Sequence, residues 1–309
     1  MLRRRPIHAV VLLVWLWVSS VHVSFAHPGS GIVVDAQGHV YFIYTSHGVM
    51  RIEPSGKLTN IYEVTGGGHW LALDAGGSFS RVKLKEYERI TGDGEVPGLI
   101  FASGGAPMVV GSDGKLYYGS NGSAEESFPT GAMTVARLSV NGQAELFAPA
   151  LKQKLAELKD GITGIASGLD GSIYVATWNG MVVLSAKGTI ARVVHPIKVS
   201  DCDSDPADHN PANASSPLLR GLGVDSHGNV YVAATSCHRV VRITPDGQVT
   251  SILKSERPWS PTGVAVRGEE IYVLEYTNAN GPATEGWYPR VRKRAADGTW
   301  TTVVTVAAE

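Results

Sequence analysis

The segment ATSCHRVVRITPDG, residues 234–247, places Cys237 directly beside His238. A thiol next to an imidazole has three uses: a nucleophile with its base, half of a metal site, or a disulfide beside a turn-holding histidine. Two adjacent residues cannot choose among these, because each chemistry needs a third group brought from elsewhere. The second cysteine is Cys202, and further reactive side chains are scattered at His47, His69, Arg220 and Glu275. No Gly-x-Ser-x-Gly, His-Glu-x-x-His or phosphate-loop motif occurs.

The 309 residues are 43% hydrophobic and 18% charged, with 36 Gly and 16 Pro, a turn-rich composition with ample length for a core. Residues 1–26 read as a secretory signal peptide. Arg3, Arg4 and Arg5 precede the apolar run Ala9–Val18, and Ser24-Phe25-Ala26 supplies small residues at the −3 and −1 positions. That run is short of the ~20 residues of a spanning helix. The expected mature chain begins at His27, is secreted or periplasmic, and leaves the membrane once the signal is removed. It carries 24 basic against 28 acidic residues, which argues against nucleic acid as a partner. YPRVRKR (288–294) is basic, and its alternation reads as a solvated edge strand.

One pattern recurs along the chain: a small or polar residue, Gly, an apolar run, a glycine turn, then residues like VYV. Clear copies are SGIVVDAQGHVYFIYTSHGVMRIEPSG (30–56), TGIASGLDGSIYVATWNGMVVLSAKG (163–188), RGLGVDSHGNVYVAATSCHRVVRITPDG (220–247) and TGVAVRGEEIYVLEYTNANG (262–281). PMVVGSDGKLYYGSNGS (107–123) is looser, and HWLALDAGGSF (69–79) is weakest, with its later strands unplaced. Turn glycines fall at Gly38, Gly77, Gly114, Gly171, Gly228 and Gly268. Each unit holds about four short strands, the period of a propeller blade. The expected fold is all-β: a six-bladed β-propeller of four-stranded antiparallel blades over 27–309. One helix is expected at 149–159, where Leu151, Leu155 and Leu158 share a face.

GLGVDSHGNVYVAATSCHRVVRITPDG resembles an NHL repeat, as do PTGVAV (261–266) and GSIYVAT (171–177). The resemblance implies architecture and leaves function open, because the scaffold hosts unrelated activities. In this topology, Cys237 lies in the top turn of blade five and Cys202 in the insertion joining blades four and five across the same face. An even cysteine count in an exported chain then points to a Cys202–Cys237 disulfide.

Ligand sites of closed propellers lie where the inner-strand entries converge, here Ser30, His69, Ala106, Thr163, Arg220 and Thr262. The second-turn residues His47, Asn121, Trp178, Asn179, His238, Glu275 and Tyr276 ring them. Of these, His69, Asn121, Thr163, Trp178, Asn179, Arg220, His238, Glu275 and Tyr276 form the candidate ligand set. Arg220 is the natural anion partner. Two readings of it stand: a structural pair with Glu275, or a receptor for a ligand carboxylate or phosphate.

The chain is also distantly similar to gluconolactonase-type lactonases and peptide-amidating lyases. The lactonase resemblance implies a divalent cation such as calcium, with Asp160, Asn121, Asn179 and Glu275 as oxygen donors. However, HPGSGIVV lacks the blade-one carboxylate, and Arg220 stands where an acid is wanted. The lyase resemblance implies three zinc-binding histidines, of which only His69 is matched. The expected role is therefore binding a small molecule or protein at the top face as a monomer, with a metal-dependent hydrolase or a lyase as the alternative.

Overall fold

The computed structural model describes residues 28–63, 68–79, 88–90, 98–102, 104, 106–120, 132–202, 217–279 and 286–307. All six expected turn glycines have positive φ, from 58° at Gly268 to 90° at Gly38. That conformation strains any residue with a Cβ, so each glycine fixes a hairpin where the repeat places it.

The first sheet is β1 (Ile32–Val34), β2 (Val40–Tyr44), β3 (Gly48–Ile52) and β4 (Leu58–Tyr62). The second contains β5 (Trp70–Asp74), β6 (Glu88–Ile90) and β7 (Gly98–Ala102). The third is β8 (Met108–Val110), β9 (Leu116–Ser120), β10 (Thr134–Leu138) and β11 (Ala144–Leu146). Helix α1 (Pro149–Leu158) leads to the fourth: β12 (Ile162–Ser167), β13 (Ile173–Thr177), β14 (Met181–Leu184) and β15 (Ile190–Val194). The fifth is β16 (Leu219–Val224), β17 (Val230–Ala234), β18 (Arg239–Ile243) and β19 (Val249–Lys254). The sixth is β20 (Trp259–Arg267), β21 (Glu270–Thr277), β22 (Pro289–Arg294) and β23 (Trp300–Thr305).

Five of these sheets are four-stranded antiparallel meanders, the blades of a propeller. The expectation of six such blades is corrected at the second sheet, which has three strands among the described residues in the order β5-β7-β6. The sequence explains the crossing. A second-position strand is covered on both faces by neighbouring sheets and must be apolar throughout, as VYFIY in β2 and IYVAT in β13 are. GLIFA in β7 meets that requirement, and four of its five residues are buried.

The core is divided into slabs between successive sheets. Phe42, Ile52, Leu274 and Tyr276 pack between the first and sixth sheets; Tyr174, Met181, Val232 and Val241 pack between the fourth and fifth. Leu151 and Leu155 of α1 fill the slab between the third and fourth, as the helical spacing requires, while Leu158 is only half-buried. Inner strands β1, β5, β8, β12, β16 and β20 neighbour one another in turn, and β20 returns to β1.

Glycine permits that closeness. A Cβ at Gly164 would lie 2.4 Å from the Arg220 carbonyl oxygen, and one at Gly263 would lie 2.3 Å from that of Ser30. Cys202 and Cys237 form the expected disulfide, with Cα atoms 4.6 Å apart. Arg239 reinforces it by donating to the Asp201 carbonyl at 2.6 Å. YPRVRKR is corrected from an edge to an interior strand: β22 lies between β21 and β23. No helix among the described residues is long and apolar enough to cross a membrane.

Gly263→Ala should therefore destabilise the ring by about 3 kcal/mol or more, because backbone faces backbone and neither can move aside. Gly161→Ala is the control, since its Cβ would meet nothing within 4 Å. Thermal unfolding should show a lower melting temperature for the first variant and a near-native one for the second; equal melting of the two would refute the close-packed ring.

Candidate ligand site at the channel mouth

The inner-strand entries sit side by side. The N–H groups of Ser30 and Gly31 both donate to the His69 carbonyl, at 3.0 and 2.9 Å. A Cβ at Gly221 would fall 2.9 Å from the Thr262 oxygen and 3.1 Å from that of Ser30. Thr163-Gly164, Arg220-Gly221, Thr262-Gly263 and Ser30-Gly31 thus pack backbone to backbone, each carrying its mouth residue just before a glycine. The Thr262 hydroxyl donates to the Gly29 carbonyl at 2.9 Å. Arg220 is 8% exposed and reaches across the mouth to the Pro28 carbonyl, Nη1 to O 3.4 Å.

His69 is half-buried, and burial followed by repulsion from Arg220 lowers its pKa to about 4. Its imidazole is therefore neutral at neutral pH. The repulsion also places His69 and Arg220 within reach of each other's field, so the structure brings these two candidates together. Two hydroxyls belong to residues at other inner-strand entries. Ser30 Oγ and Thr163 Oγ1 are closed off from solvent and have no hydrogen-bond partner among the described residues. A buried hydroxyl without a partner carries a desolvation cost that a bound polar group would offset.

The other candidates make contacts within the scaffold. Asp160 Oδ1 accepts the N–H groups of Gly161 and Trp178, both at 2.9 Å. Its Oδ2 accepts the Thr177 hydroxyl at 2.7 Å and the Asn179 N–H at 3.2 Å, with His195 Nε2 3.3 Å away. The carboxylate thereby organises the turn bearing Trp178 and Asn179. Asn179 passes its carbonyl to the Ile197 N–H at 2.7 Å. Trp178 leaves 42% of its surface exposed.

His238 has a left-handed backbone, φ 53°, and its Nδ1 lies 2.9 Å from the Trp259 carbonyl and 2.8 Å from Ser260 Oγ. It joins the fifth sheet to the sixth. His47 is an exposed turn residue stacked on Tyr44. Tyr276 is fully buried; its hydroxyl donates to the Ile43 carbonyl and accepts the Thr45 N–H at 3.2 Å, and burial raises its pKa. Asn121 lies outside the described residues.

The Arg220–Glu275 pairing is corrected. Glu275 is fully buried and pairs with Arg290 Nε at 2.5 Å, its cross-strand neighbour on β22. It also accepts the Ser255 hydroxyl. Arg290 in turn stacks on Trp259, 4.4 Å from the ring centre. Neither Asp160 nor Glu275 is thus placed as a calcium ligand, and no group of three or more histidine, cysteine or acidic residues among the described residues is placed for a metal. His195 and the Arg290 pairing escaped the sequence reading. Nothing near VVHP signals the first, whereas a β21–β22 register would have signalled the second.

No family model matches the chain, and no curated protein matches it significantly. Solved structures do share its fold. A luciferin-regenerating enzyme superposes with a TM-score of 0.56 at 15% identity, covering 91% of this chain and 94% of that one. The PQQ-bound aldose sugar dehydrogenase of Streptomyces coelicolor gives 0.55 at 13% identity, covering 87% and 94%. A gluconolactonase of Xanthomonas campestris gives 0.52 at 14% identity, covering 80% and 83%. At such identities the likeness is one of fold.

The lowered His69 pKa fixes the sign of a pH effect. An unfolded chain protonates this histidine near pH 6.5, but the native one resists until about pH 4. The stability contributed by His69 is complete above pH 6.5 and is lost as the pH falls towards 4, by about 1–3 kcal/mol given its partial exposure. His69→Gln should flatten the melting-temperature profile between those values. An unchanged profile would show that His69 is not held neutral.

Proposed function

We propose that this chain is an exported, NHL-like propeller that binds a small anionic molecule at the mouth of its channel, acting as a monomer. The three-stranded second sheet is read as the reduced sixth blade of the ring, a reading supported by the six inner strands that neighbour one another in turn. The cystine supports export, because disulfides persist in oxidising compartments. Nucleic acid is disfavoured by the acidic balance of the mature chain.

One observation carries the binding reading. Arg220 and the uncharged His69 stand at inner-strand entries, as do Ser30 and Thr163, whose buried hydroxyls have no partner among the described residues. A guanidinium with hydroxyl donors suits a carboxylate or phosphate, and a neutral imidazole adds either a donor or an acceptor. The calcium site of the lactonase resemblance does not fit, since Asp160 and Glu275 are committed to the scaffold and the mouth carries a cation. A lyase or hydrolase without that metal stays the second reading, since His69 is unprotonated at neutral pH, although a pKa of about 4 makes it a weak base.

Calorimetric titration of the mature protein with inorganic phosphate and with gluconate tests the proposal. Arg220→Ala should weaken binding about 10–100-fold, the worth of charge-assisted hydrogen bonds of about 1.5–3 kcal/mol, with little change in melting. Lost stability with unaltered binding would make Arg220 a structural residue and overturn the reading.

A further inference from the structure

Four of the sheets set a cation across from the tyrosine of their second strand. The Cα pairs are Tyr41 with Arg51, Tyr117 with Arg137, Tyr231 with Arg242 and Tyr272 with Lys293. Directly opposed residues of antiparallel strands share a face, so each cation lies beside its tyrosine. Three of these cations have a carboxylate of their own. Arg51 pairs with Glu53 at 3.1 Å, Arg137 with Glu145 at 2.7 Å, and Lys293 with Glu270.

Arg242 differs. In the fifth sheet the positions that supply those three acids hold Thr244, Thr250 and Asn229. Arg242 is half-buried, and its Nε is closed off from solvent with no hydrogen-bond partner among the described residues. No carboxylate among the described residues forms an ion pair with it. A partly desolvated cation of this kind is destabilising until something negative meets it.

The facing sheet adds positive charge. Tyr231, Val240, Ile271 and Val273 pack in the slab between the fifth and sixth sheets, with Trp300 against them. On β22, Arg294 is opposed by Ile271 and Trp300, and Arg292 by Val273. Both arginines therefore stand on the face of the sixth sheet that meets the fifth. Arg292 covers the Trp300 ring, 5.5 Å from its centre. Burial and the bond to Asp225 raise the Tyr231 pKa, while Arg242 and Arg294 each pull it down, so both guanidiniums lie in the field of one hydroxyl. The nearby acids are engaged locally. Asp225 accepts the Tyr231 hydroxyl at 3.0 Å and the Asn229 side-chain amide at 2.8 Å. Asp297, in the field of Arg294, accepts the Thr299 N–H at 2.9 Å.

We propose that Arg242 and Arg294 form a second anion site, at the seam of the fifth and sixth sheets, for a tetrahedral oxyanion such as phosphate. Guanidiniums arriving from two different sheets suit an anion whose oxygens point in several directions better than a planar carboxylate. The site lies toward the end of β17 remote from the disulfide and is independent of the channel mouth.

Calorimetric titration of the Arg220→Ala protein at constant ionic strength reads this site without the mouth. Inorganic phosphate and phenyl phosphate are the probes, and the tighter of the two tells a free oxyanion from an ester group. Arg242→Gln and Arg294→Gln should each weaken phosphate binding about tenfold, the worth of one charge-assisted hydrogen bond. Arg242→Lys, which keeps the charge, should restore part of the affinity. Arg137→Gln should leave it unchanged, because that guanidinium already has Glu145. In phosphate-free buffer Arg242→Gln should melt no lower than its parent, since it removes a desolvated charge that lacks a counter-ion. Absence of phosphate binding, or phosphate binding that survives both Gln substitutions, overturns the seam site. Melting of Arg242→Gln below its parent with phosphate affinity unchanged makes Arg242 structural and overturns it as well. Gluconate binding that depends on Arg220 would in either event still uphold the mouth site.

Discussion

Close approach of inner-strand backbones is the constraint on which the rest of this structure depends. Gly164, Gly221 and Gly263 each stand where a methyl group would penetrate the next strand. Gly31 does the same against β5, where a Cβ would lie 2.6 Å from the Leu71 nitrogen. The ring must also close without a shared strand, since β1–β4 and β20–β23 come from opposite ends of the chain. Closure therefore relies on the slab between the first and sixth sheets, on the Tyr276 hydroxyl reaching the Ile43 carbonyl, and on Thr262 reaching Gly29. Buried hydrogen bonds of this kind are costly to leave half-made, so they pin the seam as well as stabilise it.

The same constraint assembles the candidate site. Each glycine at the crowded ring is preceded by an inner-strand entry residue, so the glycine spacing sets Ser30, Thr163, Arg220 and Thr262 on inner strands of the ring. The charge balance there follows from what the acids do elsewhere. Glu275 neutralises Arg290 within its own sheet, and Asp160 is consumed by turn amides. Arg220 and a neutral His69 stand at the inner-strand entries, the basis on which an anion rather than a cation is proposed as the ligand.

Much of the architecture was legible because it rests on local chemistry. Glycine at positive φ must recur wherever a hairpin recurs, and the six turn positions were readable on that ground. The disulfide followed from two cysteines placed on the same face, and the helix from leucines spaced by one turn. The second sheet was not legible, because strand order there is decided by which segment is apolar enough for the enclosed position, a non-local competition won by GLIFA. The structural pairing offered for Glu275, one of the two readings of Arg220, named the wrong arginine for a related reason. Both are plausible partners from sequence, and only the β21–β22 register sets Arg290 opposite the carboxylate. The buried hydroxyls were equally invisible, because whether Ser30 or Thr163 finds a partner depends on the neighbouring sheets.

The account turns on an anion sitting against Arg220. A crystal structure of the mature protein soaked in selenate, read by the anomalous signal of selenium, addresses this most directly. The account predicts a selenium peak at the channel mouth with its oxygens within hydrogen-bonding distance of the Arg220 guanidinium and of Ser30 or Thr163. Arg220 held by a carboxylate of the chain itself, with selenate absent from the mouth, would contradict it.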